Sequence, residues 1–243
     1  MSNRFTPEEM GARAVRIGNC SAWGRRAAAA AALCVGLLAA SAAFATQSPS
    51  ASVPAAATTA DFSGEPASND ARRIVHWVLE TGDNRRLPFV IVDKKAAKVF
   101  VFDGRGHMLG HTSALLGLAR GDDSAPGLGD RDLADIRPEE RTTPAGRFVA
   151  SLGHDLGPDD VLWVDYHAAL ALHRVLADNT REHRLERLAS AAPGDHRITF
   201  GCINVPVNFY DAVIDPAFAG TSGIVYILPE IKSLSEVFFS SAS

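Results

Sequence analysis

The stretch Ile198-Thr199-Phe200-Gly201-Cys202-Ile203-Asn204-Val205-Pro206 decides how this chain is interpreted. It contains a glycine followed by a cysteine at the end of an apolar run, and Pro206 follows at a position where a helix can begin. A residue without a side chain beside a nucleophile lets a substrate carbonyl approach the backbone. We therefore predict that Cys202 is a nucleophile and that the amides of Gly201 and Cys202 stabilise an oxyanion.

The N-terminus has the pattern of an export signal. Arg25-Arg26 precede an apolar stretch over 27–40, and Ala43-Phe44-Ala45 fits a signal-peptidase site. The alternative is an uncleaved membrane anchor, but the run is short for a span of about 20 residues. We predict a signal peptide over 1–45, a flexible linker over 46–69, one domain over 70–230 and a tail over 231–243.

Export changes both the cysteine count and the charge. Cys20 and Cys34 leave with the signal, so Cys202 remains alone and cannot pair within its chain. The first 45 residues carry five basic and two acidic side chains, which leaves 19 basic and 26 acidic residues, a net charge of −7. That charge argues against nucleic acid as a partner. The exported part contains neither a CxxC pair nor a Cys/His cluster, and we predict no metal and no cofactor.

The hydrophobic pattern predicts a β-rich domain. Strands are predicted over 89–92, 98–102, 108–116, 161–164, 169–173 and 223–228, with a further strand that follows residues 142–148 and runs through Leu152. Helices are predicted over 70–81, 180–189 and from Pro206 through Ile214. Ser68 or Asn69 is the predicted cap of the first helix. Because the first strands are joined by short turns, the sheet should be antiparallel or mixed. Residues 117–141 form a long segment rich in Gly, Asp and Pro, a type that is usually functional or disordered.

A thiol nucleophile needs a nearby base or positive charge to form the thiolate. The exported chain has eight histidines. His173 ends an apolar strand, where rigid scaffolds present catalytic groups, and it is our predicted base. His196, six residues before Cys202, is the alternative, whereas His183 lies in a polar helix and is predicted to be solvated.

These residues resemble the L,D-transpeptidases of the YkuD type. Residues 199–204 are similar to their catalytic motif, Ser/Thr-His-Gly-Cys followed by an apolar residue and Asn or Arg. Residues 90–104 resemble the family's opening hairpin, and Thr143-Pro144-Ala145-Gly146-Arg147-Phe148 resembles its Thr-Pro-x-Gly-x-Phe element. The resemblance covers 87–228 and implies a sandwich or barrel-like β fold with a few short helices, in the periplasm or cell envelope of a bacterium.

The resemblance also implies a reaction. The family's cysteine attacks the bond between an L-centre and a D-residue in a peptidoglycan stem peptide, releases D-alanine, and passes the acyl group to an amine. Cys202 and His173 match the nucleophile and base, and Thr199 matches the Ser/Thr of the motif. Asn204, Arg141 and Arg197 are the predicted substrate-binding residues, with Arg147 a further candidate, because arginine can bind a stem carboxylate through two hydrogen bonds. No membrane span is expected after signal cleavage.

The chain departs from the family pattern in three places. Phe200 replaces the motif histidine, Arg174 replaces a glycine, and His173 and Cys202 lie 29 residues apart, which is more than the family's usual spacing. The predicted helix over 180–189 accounts for the extra length. Two alternatives therefore stay open: a hydrolase that uses water as acceptor at the same site, and a non-catalytic envelope-binding module in which Cys202 is simply buried. A papain-like protease is disfavoured because no histidine follows Cys202.

Overall fold

The computed structural model describes residues 62, 64–154 and 159–239. The predicted signal peptide and most of the predicted linker lie outside these described residues. In the described part of the chain, no helix combines the length and the apolar character that crossing a membrane requires.

The first helix, α1, spans Asn69–Thr81, as predicted. Ser68 caps it, because its side-chain oxygen accepts a hydrogen bond from the Ala71 amide at 3.0 Å. Gly82 ends it in the left-handed conformation, with φ of 66°. Its apolar face, which includes Ile74 and Val78, is buried against the sheet.

Ten strands follow the chain in an order close to the one predicted. They are β1 Phe89–Asp93, β2 Lys98–Phe102, β3 Met108–Ser113, β4 Leu116–Gly117, β5 Gly146–His154, β6 Asp160–Asp165, β7 Leu170–Arg174, β8 Arg197–Thr199, β9 Ile203–Val205 and β10 Ser222–Ile227. Eight of them form one sheet in the order β3-β2-β1-β10-β5-β6-β7-β9, and β4 pairs with β8 separately. The large sheet is mixed: β1 runs parallel to β10 and β7 parallel to β9, while its other pairs are antiparallel.

The large sheet curls around the larger of its apolar clusters. Val99 and Val101 on β2 and Ile203 and Val205 on β9 belong to the same buried cluster, although the two strands lie near opposite ends of the sheet. Only a strongly curved sheet can bring such distant strands to one core. The β-rich, barrel-like prediction is therefore confirmed.

Helix α2 spans Arg184–Ala189. The next helical segment, α3, follows β9 and closes this core. Its consecutive pieces are Val207–Phe209, the π-helical turn Tyr210–Ile214, and Asp215–Phe218. Tyr210, Ile214 and Phe218 are buried against the inner face of the sheet. Pro206 comes directly before this segment as its cap, so the predicted helix is present and extends beyond Ile214.

The end of the predicted linker packs on the domain. Phe62 is 3% exposed and meets Phe100 and Phe102 edge to face, with ring centroids 5.2 and 5.5 Å apart. Glu65 forms an ion pair with Lys98. The composition of 46–69 concealed this, because Phe62 is a single aromatic residue in a long stretch rich in Ala, Ser, Pro and Thr.

The predicted tail also begins as ordered structure. The carboxylate of Asp122 accepts hydrogen bonds from the amides of Glu230, Ile231 and Lys232, at 2.7 to 2.8 Å. Leu234 is buried in the apolar cluster that also contains Phe62, Ile74 and Phe100. A π-helical turn spans Ser235–Phe239. The segment after β10 is therefore held against residues of the 117–141 segment.

Two predicted elements are divided in the structure. One strand was predicted over 108–116, but β3 ends at Ser113. Leu116 and Gly117 form the separate strand β4, which pairs with β8. The predicted helix over 180–189 is a 3₁₀ turn, Thr180–Glu182, followed by α2, Arg184–Ala189. The break is at His183, which has φ of 50°. The 117–141 segment contains three 3₁₀ turns, and Arg131 braces it by binding both carboxylate oxygens of Glu140.

Candidate active site

The pairing of β7 with β9 brings the two principal candidates together. Leu172 lies opposite Ile203, and His173 lies opposite Asn204. Leu172 and Ile203 face the core, so the alternation of side chains turns His173 and Asn204 outward. Cys202 directly precedes β9, and its thiol lies 3.4 Å from the carbonyl oxygen of Ala169, the residue before β7. Ideal sheet geometry, with strands about 4.8 Å apart and a rise of about 3.3 Å per residue, predicts a Cα separation of about 8 Å between His173 and Cys202.

The hydrogen bonds of His173 fix the position of its proton. Nδ1 lies 2.8 Å from the carbonyl oxygen of Arg174, which can only accept, so Nδ1 carries the hydrogen. Nε2 lies 2.9 Å from the side-chain nitrogen of Asn204, which donates. Nε2 is therefore the unprotonated nitrogen, and its lone pair accepts the hydrogen bond from Asn204.

Arg184 orients the Asn204 side chain. Its Nη1 donates to Asn204 Oδ1 at 2.9 Å, and its Nε donates to Glu182 Oε2 at 2.5 Å. Because the guanidinium has only donors, it holds the amide oxygen on its own side and leaves Nδ2 for His173. Asn204 is 1% exposed, so this arrangement is shielded from water. The insertion between His173 and Cys202 thus supplies a residue that positions the predicted base, and sequence spacing gave no indication of it.

Thr199 and Gly201 shape the backbone beside the thiol. Thr199 Oγ1 donates to the Cys202 carbonyl at 2.6 Å and accepts from the Gly201 amide at 3.2 Å. The Gly201 amide, which the sequence predicted to bind an oxyanion, is thus engaged within the protein. The half-buried Cys202 thiol donates to the carbonyl oxygen of Ala169, with 3.4 Å between sulfur and oxygen.

The three segments that resemble the transpeptidase family meet at Thr143. Its hydroxyl donates to the Gly201 carbonyl at 2.7 Å and accepts from the Gly117 amide at 2.8 Å. Its own carbonyl accepts from Lys94, in the turn of the opening hairpin, at 2.8 Å. Thr143 is fully buried. Its hydrogen bonds therefore link the hairpin, the Thr-Pro element and residues 199–202, which we call the cysteine loop, in one water-free region.

We predict that Gly201→Ala lowers the free energy of unfolding by about 2 kcal/mol. Gly201 has φ of 138°, and a Cβ there would be 2.8 Å from the carbonyl oxygen of Thr142. Urea unfolding measures the change. Gly194→Ala is the matched control, since a Cβ there meets no atom within 4 Å. Equal stability of the two variants would contradict the strain assigned to the cysteine loop.

Phe200, which stands where the family has a histidine, supports Arg141. The guanidinium carbon of Arg141 lies 4.0 Å from the centre of the Phe200 ring. Arg141 Nε and Nη2 both donate to the carbonyl of Ile136, at 3.1 and 2.9 Å. Nη1 makes no hydrogen bond to a described residue. A cation held on an aromatic face two residues before Cys202 suits the predicted role of Arg141 in binding a carboxylate.

The other predicted arginines are engaged elsewhere. Arg197 is largely buried, and its Nη2 donates to Glu230 at 2.7 Å and to the Lys94 carbonyl at 3.0 Å. Burial lowers the pKa of its guanidinium, against the opposing effect of Glu230. Arg147 donates to the Asp83 carboxylate at 2.6 Å. Both arginines are therefore held by partners within the protein.

The two alternative histidines lie in different settings. His196 is 3% exposed, and its ring nitrogens each lie 3.1 Å from a carbonyl oxygen, those of Ala114 and Ser190. It bridges two parts of the backbone, which leaves His173 as the candidate base. His183 is exposed, as expected. Among the described residues, no group of three or more His, Cys, Asp or Glu side chains could hold a metal ion.

We predict that Arg184→Met lowers the turnover number of the proposed reaction about tenfold with little change in KM. Without the guanidinium, the Asn204 amide can flip and present its oxygen to His173, and a charged hydrogen bond of this kind contributes roughly 1.5–3 kcal/mol. Steady-state kinetics separates the two constants. Arg181→Met is the control, because Arg181 is exposed in the same insertion. A parallel loss in the control variant would assign the effect to the insertion as a whole.

Comparisons with known proteins complete the description of the site. No protein-family model and no curated protein sequence matches this chain. Solved structures similar to it include a variant of the helical cell shape determining protein Pgp2 from Campylobacter jejuni, with 14% identity, a TM-score of 0.41, and coverage of 65% of this chain and 55% of that one. An L,D-transpeptidase from Xylanimonas cellulosilytica DSM 15894 has 13% identity and a TM-score of 0.35, covering 58% and 60%.

A third similar structure is the catalytic domain of an E. faecium L,D-transpeptidase, with 15% identity, a TM-score of 0.33, and coverage of 59% of this chain and 98% of that domain. The chain spans little more than half the length of the first two structures.

Proposed function

We propose that this chain is an exported cysteine acyltransferase, an L,D-transpeptidase that acts on peptidoglycan stem peptides in the periplasm or cell envelope. The observation that supports it best is the β7–β9 register. It pairs His173, a histidine of fixed tautomer, with Asn204, which lies two residues after the cysteine in the chain. The substrate class is inferred from the sequence motifs, and export is inferred from the N-terminal sequence pattern.

The first half of the reaction forms a thioester. Nε2 of His173 exchanges the Asn204 amide for the Cys202 thiol and takes its proton. The thiolate attacks the carbonyl carbon of the L-centre residue, and the Cys202 amide stabilises the oxyanion. The C–S bond forms, the C–N bond to the terminal D-alanine breaks, and the imidazolium gives its proton to the departing amine.

The second half returns the enzyme to its starting state. An acceptor amine gives a proton to His173 and attacks the thioester carbonyl, so that a new C–N bond forms while the C–S bond breaks. The sulfur leaves as a thiolate and recovers the proton from the imidazolium. Throughout, the Arg174 carbonyl keeps the ring oriented through Nδ1, as it does in the structure.

Arg141 is the candidate for substrate binding, and Asn204 has a different role. Arg141 is supported on Phe200 next to the cysteine loop, where its Nη1 can bind a stem carboxylate. Asn204 contacts His173 directly and is held by Arg184, so its part in the proposed reaction is to position the base.

The test is a digest of purified muropeptides analysed by mass spectrometry, with wild type beside Cys202→Ala. Wild type should release D-alanine and, when an amine acceptor is supplied, form the exchanged product, whereas Cys202→Ala should form neither. Release of D-alanine without exchange would assign the hydrolase. Processing that persists in Cys202→Ala would refute the mechanism, and no processing by a folded wild type would favour the binding module.

A further inference from the structure

Two aromatic rings lie stacked on the outward side of β6 and the turn that follows it. The ring centroids of Trp163 and Tyr166 are 4.6 Å apart and the ring planes differ by 24°. Tyr166 is 58% exposed, so the pair presents aromatic surface to solvent. We call these two residues the aromatic platform. Surfaces of this kind bind flat, partly apolar ligands and keep a polar group at hand in the tyrosine hydroxyl.

The aromatic platform is held in place by its surroundings. Trp163 Nε1 donates to the carbonyl of His154 at 3.3 Å. The backbone of Gly153 passes so close that a Cβ there would lie 2.9 Å from Trp163 Cδ1 and 3.4 Å from Tyr166 Oη. Rings fixed in this way lose little freedom when a ligand binds, which favours affinity.

The aromatic platform lies beside the proposed nucleophile. Trp163 is opposite Ala171 in the sheet. Leu172, the next residue of β7, is opposite Ile203, which directly follows Cys202 in the chain. Two strand spacings give an expected separation of about 10 Å between Trp163 and Cys202.

A second connection joins the aromatic platform to the thiol. The turn after β6 closes with a hydrogen bond from the Ala169 amide to the Tyr166 carbonyl, at 3.2 Å. The carbonyl of Ala169 accepts from Cys202 Sγ at 3.4 Å. One four-residue turn thus carries a ring of the aromatic platform at its start and contacts the thiol at its end.

We propose that the aromatic platform binds a pyranose ring of the glycan strand from which the stem peptide extends; this inference rests on the proposed function. A stem peptide joins the glycan through its first residue, and the attacked carbonyl belongs to its third. Three extended residues span about 10 Å, which matches the separation between Cys202 and Trp163. The C–H face of a pyranose packs against an aromatic ring, and Tyr166 Oη can hydrogen-bond a sugar hydroxyl.

The consequence is a preference for stems that are still attached to glycan. A free stem peptide can reach Cys202 but leaves the aromatic platform empty. A disaccharide-linked stem fills both. The enzyme would thus distinguish intact cell-wall material from released peptides by contacts about 10 Å from the reacting bond.

The experiment measures binding to Cys202→Ala protein by calorimetry, with a disaccharide tetrapeptide and the free tetrapeptide as probes. Adding Tyr166→Ala should weaken binding of the disaccharide tetrapeptide about tenfold and leave the free tetrapeptide unchanged. Tyr166→Phe, which keeps the ring, should retain most of the affinity. Ile231→Ala is the control for loss of an exposed apolar side chain, and it should change neither probe.

The outcomes separate the two proposals. Equal weakening of both probes would show that the aromatic platform contacts peptide, and no weakening of either would show that it binds neither; each result overturns the glycan assignment. If wild type turns over muropeptides while Tyr166→Ala lacks the differential effect, only the glycan assignment fails. If the differential effect is present but wild type has no turnover, the glycan site stands and the acyl transfer fails.

Discussion

Replacing His173 with glutamine is expected to reduce acyl transfer by about 10²- to 10⁴-fold. Glutamine is close to histidine in reach, but its amide cannot take a proton from the thiol at neutral pH. The substitution also removes the lone pair that accepts from Asn204 and the N–H that donates to the Arg174 carbonyl. The variant should bind stem peptides and remain folded, because His173 is only partly buried.

Thiol alkylation supplies a second measurement that needs no knowledge of the substrate. Cys202 is the only cysteine of the proposed mature chain, so iodoacetamide reports on it alone. Alkylation should slow markedly in His173→Gln and stay unchanged in His76→Gln, whose histidine is an exposed residue of α1 paired with Glu80. If both variants alkylate at the wild-type rate, His173 does not activate the thiol, and the enzyme proposal loses its base.

Local patterns were sufficient for the elements that form by short-range rules. Helix α1 has its cap, its apolar spacing and its terminal glycine in consecutive sequence, and the β1–β2 hairpin has two apolar runs joined by a short turn. These were predicted nearly to the residue. The proposed nucleophile was also recognisable locally, since a glycine followed by a lone cysteine is a pattern of adjacent residues.

Long-range contacts could not be predicted in the same way. The parallel register of β7 with β9 depends on the path of the chain through 29 residues, and it is what brings His173 near Cys202. Arg184 lies in a segment whose polar sequence predicted only a solvated helix. It acquires a role because the chain breaks at His183 and its guanidinium reaches Asn204. Nothing in the residues around Arg184 encodes that partner.

A buried lysine beside the site illustrates the same limit, because Lys94 lies in the turn between β1 and β2, where a lysine is usually solvated. Its side chain is fully buried, and its ammonium donates to Asp122 at 2.7 Å and to the carbonyls of Gly121 and Thr143 at 2.5 and 2.8 Å. Burial lowers the pKa of Lys94, against the opposing effects of Asp122 and Glu230. The ammonium thus joins the opening hairpin to the Thr143 region and to the 117–141 segment.

Replacing Lys94 with methionine is therefore expected to lower the free energy of unfolding by about 3–5 kcal/mol. The large effect follows because the substitution leaves the buried carboxylate of Asp122 without its cation. Lys95→Met is the matched control: Lys95 is the next residue, and its ion pair with Asp70 is exposed to solvent, so its loss should cost less than about 1 kcal/mol. Urea unfolding of the two variants measures the difference.

The dependence of stability on pH supplies an independent check on this cluster. Burial acts to raise the pKa of Asp122, but the hydrogen bonds from Lys94 and three backbone amides outweigh it and lower the pKa from 3.8 to about 2. A carboxyl with a depressed pKa stabilises the fold fully above its unfolded pKa and loses that contribution as the pH falls through its folded value. Wild type should therefore lose about 2 kcal/mol between about pH 4 and pH 2 through this group, and Asp122→Asn should lack that part of the acid dependence. An unchanged acid profile in Asp122→Asn, together with equal stability of the two lysine variants, would mean that the cluster does not hold these segments together.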